Sequence, residues 1–317
     1  MQKSSENKKK KLIVVAGPTA VGKTGIAIYL AHLLSTEIIS CDSRQFYKEM
    51  KIGTAVPSTE ELNSIPHHFI QHLSIFDAYS VGDFERDALA KIDELFKKHD
   101  TLIMVGGSGL YEKAITHGLD SFPEVDKSIR EKLNIEFNEW GIENLQKELA
   151  EVDPIYFKQA DIQNPVRIIR ALEIYRGTGK PFSSFRTKKS MERDFEIIQI
   201  GLELPREEMY QRINQRVEIM KDEGLLEEAK PLYEHRNLNS LQTVGYRELF
   251  DYLDGKIEFN FAIEEIKKNS RRYAKRQLTW YKKQENRQWF SPFEKEEIWN
   301  YIQSMLNNLD SASNPIS

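Results

Sequence analysis

Cysteine is nearly absent. Cys41 is the single one in 317 residues, so no internal disulfide can form and a reducing compartment fits. No stretch approaches 18 apolar residues, which leaves no candidate for a membrane-spanning helix. The first eleven residues are polar and lysine-rich, with no apolar stretch of their own. They do not read as a signal peptide, and a flexible tail over 1–11 is expected. Together these absences predict a cytoplasmic chain with no membrane partner. Internal repeats and long low-complexity linkers are missing too. No Asn-Lys-x-Asp guanine motif occurs, which counts against a GTPase-like switch. An overall positive charge is also lacking. Lys and Arg total 45 against 49 Asp and Glu, a net charge of −4. Any polyanionic partner must therefore be met by a local surplus of charge.

What is present is an ordinary globular composition, 40% hydrophobic and 30% charged, long enough for one large or two modest domains. Gly17-Pro18-Thr19-Ala20-Val21-Gly22-Lys23-Thr24 fits G-x-x-x-x-G-K-[ST]. The run Lys11–Ala16 before it reads as a buried parallel strand, and Gly25–Ala31 after it as a helix. Glycines let the backbone curl so that several N–H groups face one anion, and the helix N-terminus adds partial positive charge. Lys23 supplies a full charge, and the Thr24 hydroxyl is suited to Mg²⁺. A bound di- or triphosphate is expected.

Strands alternate with helices from 12 to 118. Strands are expected at Leu12–Ala16, Glu37–Ser40 and Thr101–Val105. Asp83–Lys98 carries Phe84, Ala88, Leu89, Ile92, Leu95 and Phe96 at helical spacing. This alternation predicts an α/β fold, a P-loop NTPase-like parallel sheet flanked by helices, with ligands at the strands' C-terminal ends. Charged helical patterns follow at Asp126–Trp140, Ile142–Ala150 and Pro165–Arg176, and a strand returns at Phe195–Leu202. The expected organisation is an α/β core of 12–118 and 196–310 interrupted by an all-helical insertion, 119–195. Helices are expected from Pro205 to about Leu232 and from Gly245 to about Arg287. Disorder is expected over Ser311–Ser317.

Asp42, after the second strand, falls near the phosphate loop. It could hold Mg²⁺, orient a nucleophile or accept its proton; a turn or N-cap Asp is the plainer reading. Arg44 and Gln45 are long polar side chains suited to a base or a phosphate. The third strand ends not in the Asp of a Walker-type ATPase but in Gly106-Gly107-Ser108-Gly109, where Ser108 could donate to a phosphate. Cys41 could be a nucleophile, although a bland position at a strand end is the better reading. His68 and His72 lie four apart with no acidic or Cys ligands at recognisable spacing, which disfavours zinc. Arg212 and Arg216, also four apart, could form a cationic pair. Pro165 to Arg193 carries eight Lys and Arg against Glu173 and Glu192, and Lys267 to Arg287 carries nine against Glu285. Two such segments, one with Trp280 and Tyr281, favour a nucleic-acid partner over two solvated helix faces.

The motifs assemble into a resemblance. The phosphate loop, Ile39-Ser40-Cys41-Asp42-Ser43-Arg44-Gln45-Phe46-Tyr47-Lys48 and Lys51-Ile52-Gly53-Thr54-Ala55 resemble the tRNA dimethylallyltransferases. So do Pro66-His67-His68, Tyr79-Ser80-Val81-Gly82-Asp83-Phe84, Val105-Gly106-Gly107-Ser108-Gly109-Leu110-Tyr111 and Asn164-Pro165-Val166-Arg167. Thr243-Val244-Gly245-Tyr246-Arg247-Glu248 and Lys275-Arg276-Gln277-Leu278-Thr279-Trp280 complete an ordered set from about residue 12 to 290.

The resemblance implies transfer of the prenyl group of dimethylallyl diphosphate to N6 of adenosine 37, beside the tRNA anticodon, with diphosphate leaving. It implies catalytic roles for Asp42, as base, and for Thr19, Lys23 and Arg216. Diphosphate contacts are implied for Gly17, Pro18, Thr19, Ala20, Val21, Gly22, Lys23, Thr24, Ser108 and Arg216, with Mg²⁺ on Thr24. Ser108 stands where the family commonly has Thr. For tRNA, the anticodon stem-loop, the implied contacts are Asp42, Ser43, Arg44, Gln45, Ser108, Arg130, Val166, Arg167, Ile168, Ile169, Arg170, Gln242, Thr243, Val244, Gly245, Tyr246, Arg247, Lys275, Arg276 and Gln277. The family habit is a monomer, and the lack of a Cys/His zinc finger matches its bacterial members. The alternatives are a small-molecule or nucleotide kinase using ATP, and an RNA-binding protein without catalysis.

Overall fold

The computed structural model describes residues 9–186, 191–284 and 286–312. Six strands form one sheet: β1 Lys10–Ala16, β2 Ile38–Ser40, β3 His67–His68, β4 Thr101–Gly106, β5 Phe195–Leu202 and β6 Gln288–Phe290. Their order is β3-β2-β4-β1-β5-β6, and every pairing is parallel. The helices of the same unit are α1 Lys23–Leu34, α2 Thr59–Ser64, α3 Val81–Leu95 and α4 Gly109–His117. The helices α5 Lys127–Trp140, α6 Ile142–Val152, α7 Pro154–Gln159 and α8 Pro165–Thr178 follow. After β5 come α9 Arg206–Asp222, α10 Leu225–Ala229, α11 Tyr246–Leu253, α12 Phe259–Tyr281 and α13 Lys295–Ala312. Gly118–Met191, which holds α5 to α8, forms one compact unit, and the described residues on either side of it form the other.

Strand periodicity explains the sheet's two faces. Ile13 and Val15 of β1 pack with Ile103, Ile198 and Ile200 against α1 and α13, whereas Leu12 and Val14 pack with Met104 against Phe84, Ala88 and Ile92 of α3. These residues are fully buried, and each Leu or Ile contributes roughly 1.5–3 kcal/mol. A third cluster joins α9 to α12 around Val217, Tyr246, Leu249 and Ile266. The helical unit has its own core of Leu133, Leu145, Leu149, Ile168 and Leu172.

Four sequence expectations need correction. Lys10, expected in the tail, opens β1 ahead of Lys11, and its Nζ donates to the His99 carbonyl at 3.0 Å and to Asp100 Oδ1 at 2.8 Å. The helix expected over 205–232 breaks at Gly224 (φ 98°) into α9 and α10. The helix expected over 245–287 breaks after Leu253, with Gly255 (φ 73°) in the left-handed region that favours glycine. Helix α13 extends to Ala312, into the segment expected to be disordered, and buries Ile298 and Ile302. The rest of both terminal segments, 1–8 and 313–317, lies outside the described residues, as do Lys188 and Lys189.

Candidate active site

The phosphate loop joins β1 to α1. Its bend uses positive φ at Ala20 (62°) and Gly22 (104°). At Gly17 a side chain would drive its Cβ to 2.6 Å from the Leu202 carbonyl oxygen, so glycine is required there. Helices α2 and α3 begin with capping boxes, Ser58 with Glu61 and Ser80 with Asp83. Helix α1 has no side-chain cap. The backbone N–H groups that open it therefore remain available to an anion, where the helix dipole favours one.

A cleft of about 510 Å³ lies over this loop, lined by Thr19, Ala20, Gly22, Lys23, Thr24, Asp42, Gln45, Arg212 and Arg216 among others. Lys23 Nζ donates to the Pro18 carbonyl at 2.7 Å. Burial brings the Lys23 ammonium down to about 8, against the opposing pull of Asp42. Arg216 donates to Thr19 Oγ at 3.3 Å. Burial also lowers the Arg216 guanidinium from its usual value, again against Asp42. Arg212 turns elsewhere: its Nε donates to the Ala20 carbonyl at 3.0 Å, and its guanidinium lies 5.8 Å from the Phe293 ring centroid. Asp42 therefore acts on two partly buried cations of the cleft.

A smaller cavity of about 100 Å³ has Arg44, Val217, Met220, Thr243, Val244, Gly245 and Tyr273 in its walls. Thr19, Ala20, Asp42, Thr54 and Arg216 line both cavities. Asp42 and Thr19 thus stand where the cleft over the loop meets a smaller pocket of mixed polar and apolar lining.

Of the residues expected at a phosphate, Gly17, Pro18 and Val21 form the back of the loop, and Val21 is fully buried. Ser108 is not in the wall of the large cleft. Its Oγ accepts from the Ser43 backbone N–H at 3.1 Å and lies 3.0 Å from Ser43 Oγ, so it braces the Asp42 turn. Cys41 is buried, and burial raises its thiol well above the usual range, so it is no nucleophile. His68 pairs with Glu37 at 2.7 Å, and His72 is packed among Phe46, Phe69 and Tyr79. Among the described residues no group of three or more His, Cys, Asp or Glu could hold a metal ion.

Several residues expected to touch RNA are committed elsewhere. Ile168 and Ile169 are 0% and 4% exposed in the helical core, so their side chains are not at a surface. Tyr246 is fully buried and donates to Glu228 at 2.6 Å. Gln277 is buried and bonded at both ends, to Thr19 N–H (2.9 Å) and to the Gly107 carbonyl (2.8 Å). Arg44 donates to the Asn239 and Ser240 carbonyls at 3.0 and 2.9 Å, and Gln45 to the Thr54 and Ala55 carbonyls at 3.2 and 2.9 Å. Gln242 donates to the Arg236 carbonyl at 2.6 Å. Within the helical unit Arg130 and Arg170 both pair with Glu173 but stay partly exposed, and Val166 and Arg167 are exposed. Arg247, Lys275 and Arg276 are exposed as well.

The sequence reading missed two residues. Tyr273, one turn before Gln277 on α12, lines the small cavity, and burial with Asp42 nearby pushes its phenol up to about 12. Helical spacing from Gln277 could have drawn attention to it. Glu228 accepts from the backbone N–H groups of Lys51, Ile52 and Gly53 at 2.9, 2.7 and 2.9 Å, and so fixes the turn that carries Thr54. No local signal marks it.

Residues 45–284 match the model of a family described as IPP transferase. The tRNA dimethylallyltransferase of Christiangramia forsetii is 58% identical over 93% of this chain and 98% of its own. That of Flavobacterium johnsoniae is 54% identical over 96% of this chain and 99% of its own. The chain belongs to the IPP transferase family. Solved structures agree with this membership. The tRNA isopentenylpyrophosphate transferase of Bacillus halodurans superposes with a TM-score of 0.72 at 38% identity, covering 96% of this chain and 99% of that chain. A eukaryotic dimethylallyltransferase acting on tRNA gives 0.70 at 29% identity over 86% of this chain and 69% of that one.

Proposed function

We propose that this chain transfers the dimethylallyl group of dimethylallyl diphosphate to N6 of adenosine 37 in tRNA. One observation carries the reading beyond family membership: Asp42, Thr19 and Arg216 are common to the phosphate-loop cleft and to the smaller pocket that adjoins it. A donor entering on one side and an acceptor base on the other would meet at those three side chains.

The diphosphate end of the donor is held by the N–H groups opening α1, by Lys23 and by Arg216. As the allylic C–O bond breaks, charge grows on the leaving diphosphate, and these fixed donors stabilise it. The carbocation character is spread by allylic resonance, so no protein nucleophile is needed. Adenine N6 is a poor nucleophile because its lone pair is delocalised into the ring. Asp42 accepts the N6 proton as the C–N bond forms, which keeps the acceptor neutral. The base is extruded from the anticodon loop to reach the pocket, since a stacked base cannot.

A Mg²⁺ ion fits the donor set. Mg²⁺ keeps most of its waters and takes one or two protein oxygens plus substrate phosphates, and Thr24 offers one hydroxyl in the cleft wall. When bound it would neutralise diphosphate charge.

Arg130, Val166, Arg167 and Arg170 of the helical unit, and Arg247, Lys275 and Arg276 of the α/β unit, are the residues that we assign to the anticodon stem-loop. We infer an active monomer, working in the cytoplasm where tRNA resides.

The test combines the protein, Mg²⁺, dimethylallyl diphosphate and an anticodon stem-loop with adenosines at 36, 37 and 38, and weighs the RNA. One added dimethylallyl group, lost when A37 is replaced by G, is expected. Asp42→Ala should cut turnover by about 10²–10⁴-fold, the usual span of general-base contributions, with the fold intact by circular dichroism. Turnover close to wild type in that variant rejects Asp42 as the base. No mass gain, with ATP consumed on small acceptors instead, rejects the transferase reading.

A further inference from the structure

Gln277 is the side chain through which α12 joins the Thr19 loop to the Gly107 loop. It is 7% exposed. Its Oε1 accepts from the backbone N–H of Thr19 at 2.9 Å, and its Nε2 donates to the carbonyl of Gly107 at 2.8 Å. An amide has one acceptor end and one donor end, and here both are used on two different loops. One of those loops carries Thr19, whose hydroxyl accepts from Arg216. The other lies against Asp42: a Cβ placed on Gly107 would sit 3.5 Å from Asp42 Oδ2 and 2.5 Å from Gln277 Nε2. A residue larger than glycine at 107 would therefore push into the clamp, with its Cβ in ordinary contact with Asp42. The next residue, Ser108, accepts from the Ser43 N–H and so fixes the Asp42 turn from its other side.

The amide that Gln277 engages is not one of those opening α1. The bond takes no donor from the helix N-terminus, where a diphosphate is cradled. It sets instead where Thr19 stands relative to Asp42, the two polar side chains closest to the meeting of the cavities apart from Arg216 and Thr54. Catalysis by a fixed base and fixed charges fails when such groups move by an ångström, even if both substrates still bind.

We propose that Gln277 is a positioning residue for prenyl transfer: its carboxamide holds the Thr19 and Gly107 loops at a fixed spacing, and so holds Thr19 and Arg216 in register with Asp42. The proposal rests on the transferase reading above. It differs from an RNA-contact role for Gln277, which burial and the two protein partners argue against.

The test has two parts. Gln277→Met keeps the length of the side chain and removes both clamp hydrogen bonds together with the one to Tyr273. It should lower kcat at least tenfold while KM for dimethylallyl diphosphate, KM for the stem-loop and the Kd of inorganic diphosphate stay within about threefold. Hydrogen exchange by NMR in the protein without substrates should show the Thr19 amide exchanging at least tenfold faster, with the amides of β1 unchanged. Gln277→Glu, which keeps an acceptor for Thr19 but sets an oxygen against the Gly107 carbonyl, serves if the Met variant does not fold. It should show the same fall in kcat with Thr19 still protected. An unchanged kcat in a folded variant overturns the proposal. So does a rise in stem-loop KM with kcat preserved, which would make Gln277 an RNA contact. If the wild-type protein transfers no prenyl group, the transferase reading fails, while Thr19 exchange still decides whether the clamp exists.

Discussion

Lys23 titrates where buffers can reach it. Burial lowers its ammonium to about 8, from a usual value of 10.5. The neutral amine is therefore favoured above pH 8 in the free protein. A bound diphosphate brings negative charge beside it and restores the proton. Lys23 thus strengthens diphosphate binding fully below pH 8, and above it binding must be accompanied by proton uptake that weakens the affinity as pH rises. The ligand's own ionisation also changes with pH, so the informative quantity is the affinity ratio of wild type to Lys23→Met. That ratio should be largest near pH 7 and shrink as pH passes from 8 towards 10, measured by calorimetry with inorganic diphosphate. A ratio independent of pH would mean that Lys23 does not sense the ligand. Lys23, Thr24 and Asp42 were legible in the sequence because their chemistry is local: a loop between a strand and a helix, and a carboxylate at the next strand end. The loop-joining role of Gln277 and the turn contacts of Glu228 were not. Gln277 meets Thr19 across 258 positions, and Glu228 meets Lys51 across 177. Nothing in the neighbourhood of either residue encodes such a partner.

At the level of elements, amphipathic spacing located α3, α5, α6 and α8 to within a few residues, because each buries one stripe. Strands β3 and β6, of two and three residues, carry too few side chains for a period to register. They exist because neighbouring strands offer unpaired edges. Packing between elements was equally hidden, and α4 against α12 is an example. Helix α4 opens at Gly109, where an added Cβ would collide with the indole of Trp280 on α12. The sequence marks the Gly106–Gly109 turn only through Ser108, as a donor to a phosphate. Within it Gly109 is needed for close helix packing instead. Gly109→Ala should overpack this interface and destabilise the protein by about 1–3 kcal/mol, seen as a lower denaturation midpoint. If Trp280 can rotate outward, Trp280→Ala will bring no relief. Recovery of stability in the Gly109→Ala, Trp280→Ala double variant, beyond the sum of the single changes, identifies the clash as the cause.

Over the whole molecule, charge is the property that sequence alone described least well. The two basic segments carry eight and nine Lys and Arg. Folding assigns many of these to the protein itself. Arg176 holds Glu136 and Glu148, Arg193 holds Glu85 and two carbonyls, and Lys267 holds Glu218 and Glu264. Arg287 is buried with Glu112 and also donates to the Ile200 carbonyl. Burial raises the Glu112 carboxyl even with Arg287 beside it. Lys275 and Arg276 remain exposed on α12. A chain of net charge −4 can therefore bind a polyanion only through the cations left at its surface, and the two kinds of cation should separate in experiment. Arg287→Met removes the partner of a buried carboxylate and should destabilise the fold by about 3–5 kcal/mol. In whatever fraction remains folded, the dependence of stem-loop binding on salt should match wild type. Lys275→Ala with Arg276→Ala should leave the denaturation midpoint within about 0.5 kcal/mol of wild type. It should reduce the slope of log K against log salt by about 0.7–0.9 for each phosphate that the protein no longer neutralises. An unchanged slope in that double variant would move the RNA path off α12 and onto the exposed cations of the helical unit, Arg167 first among them.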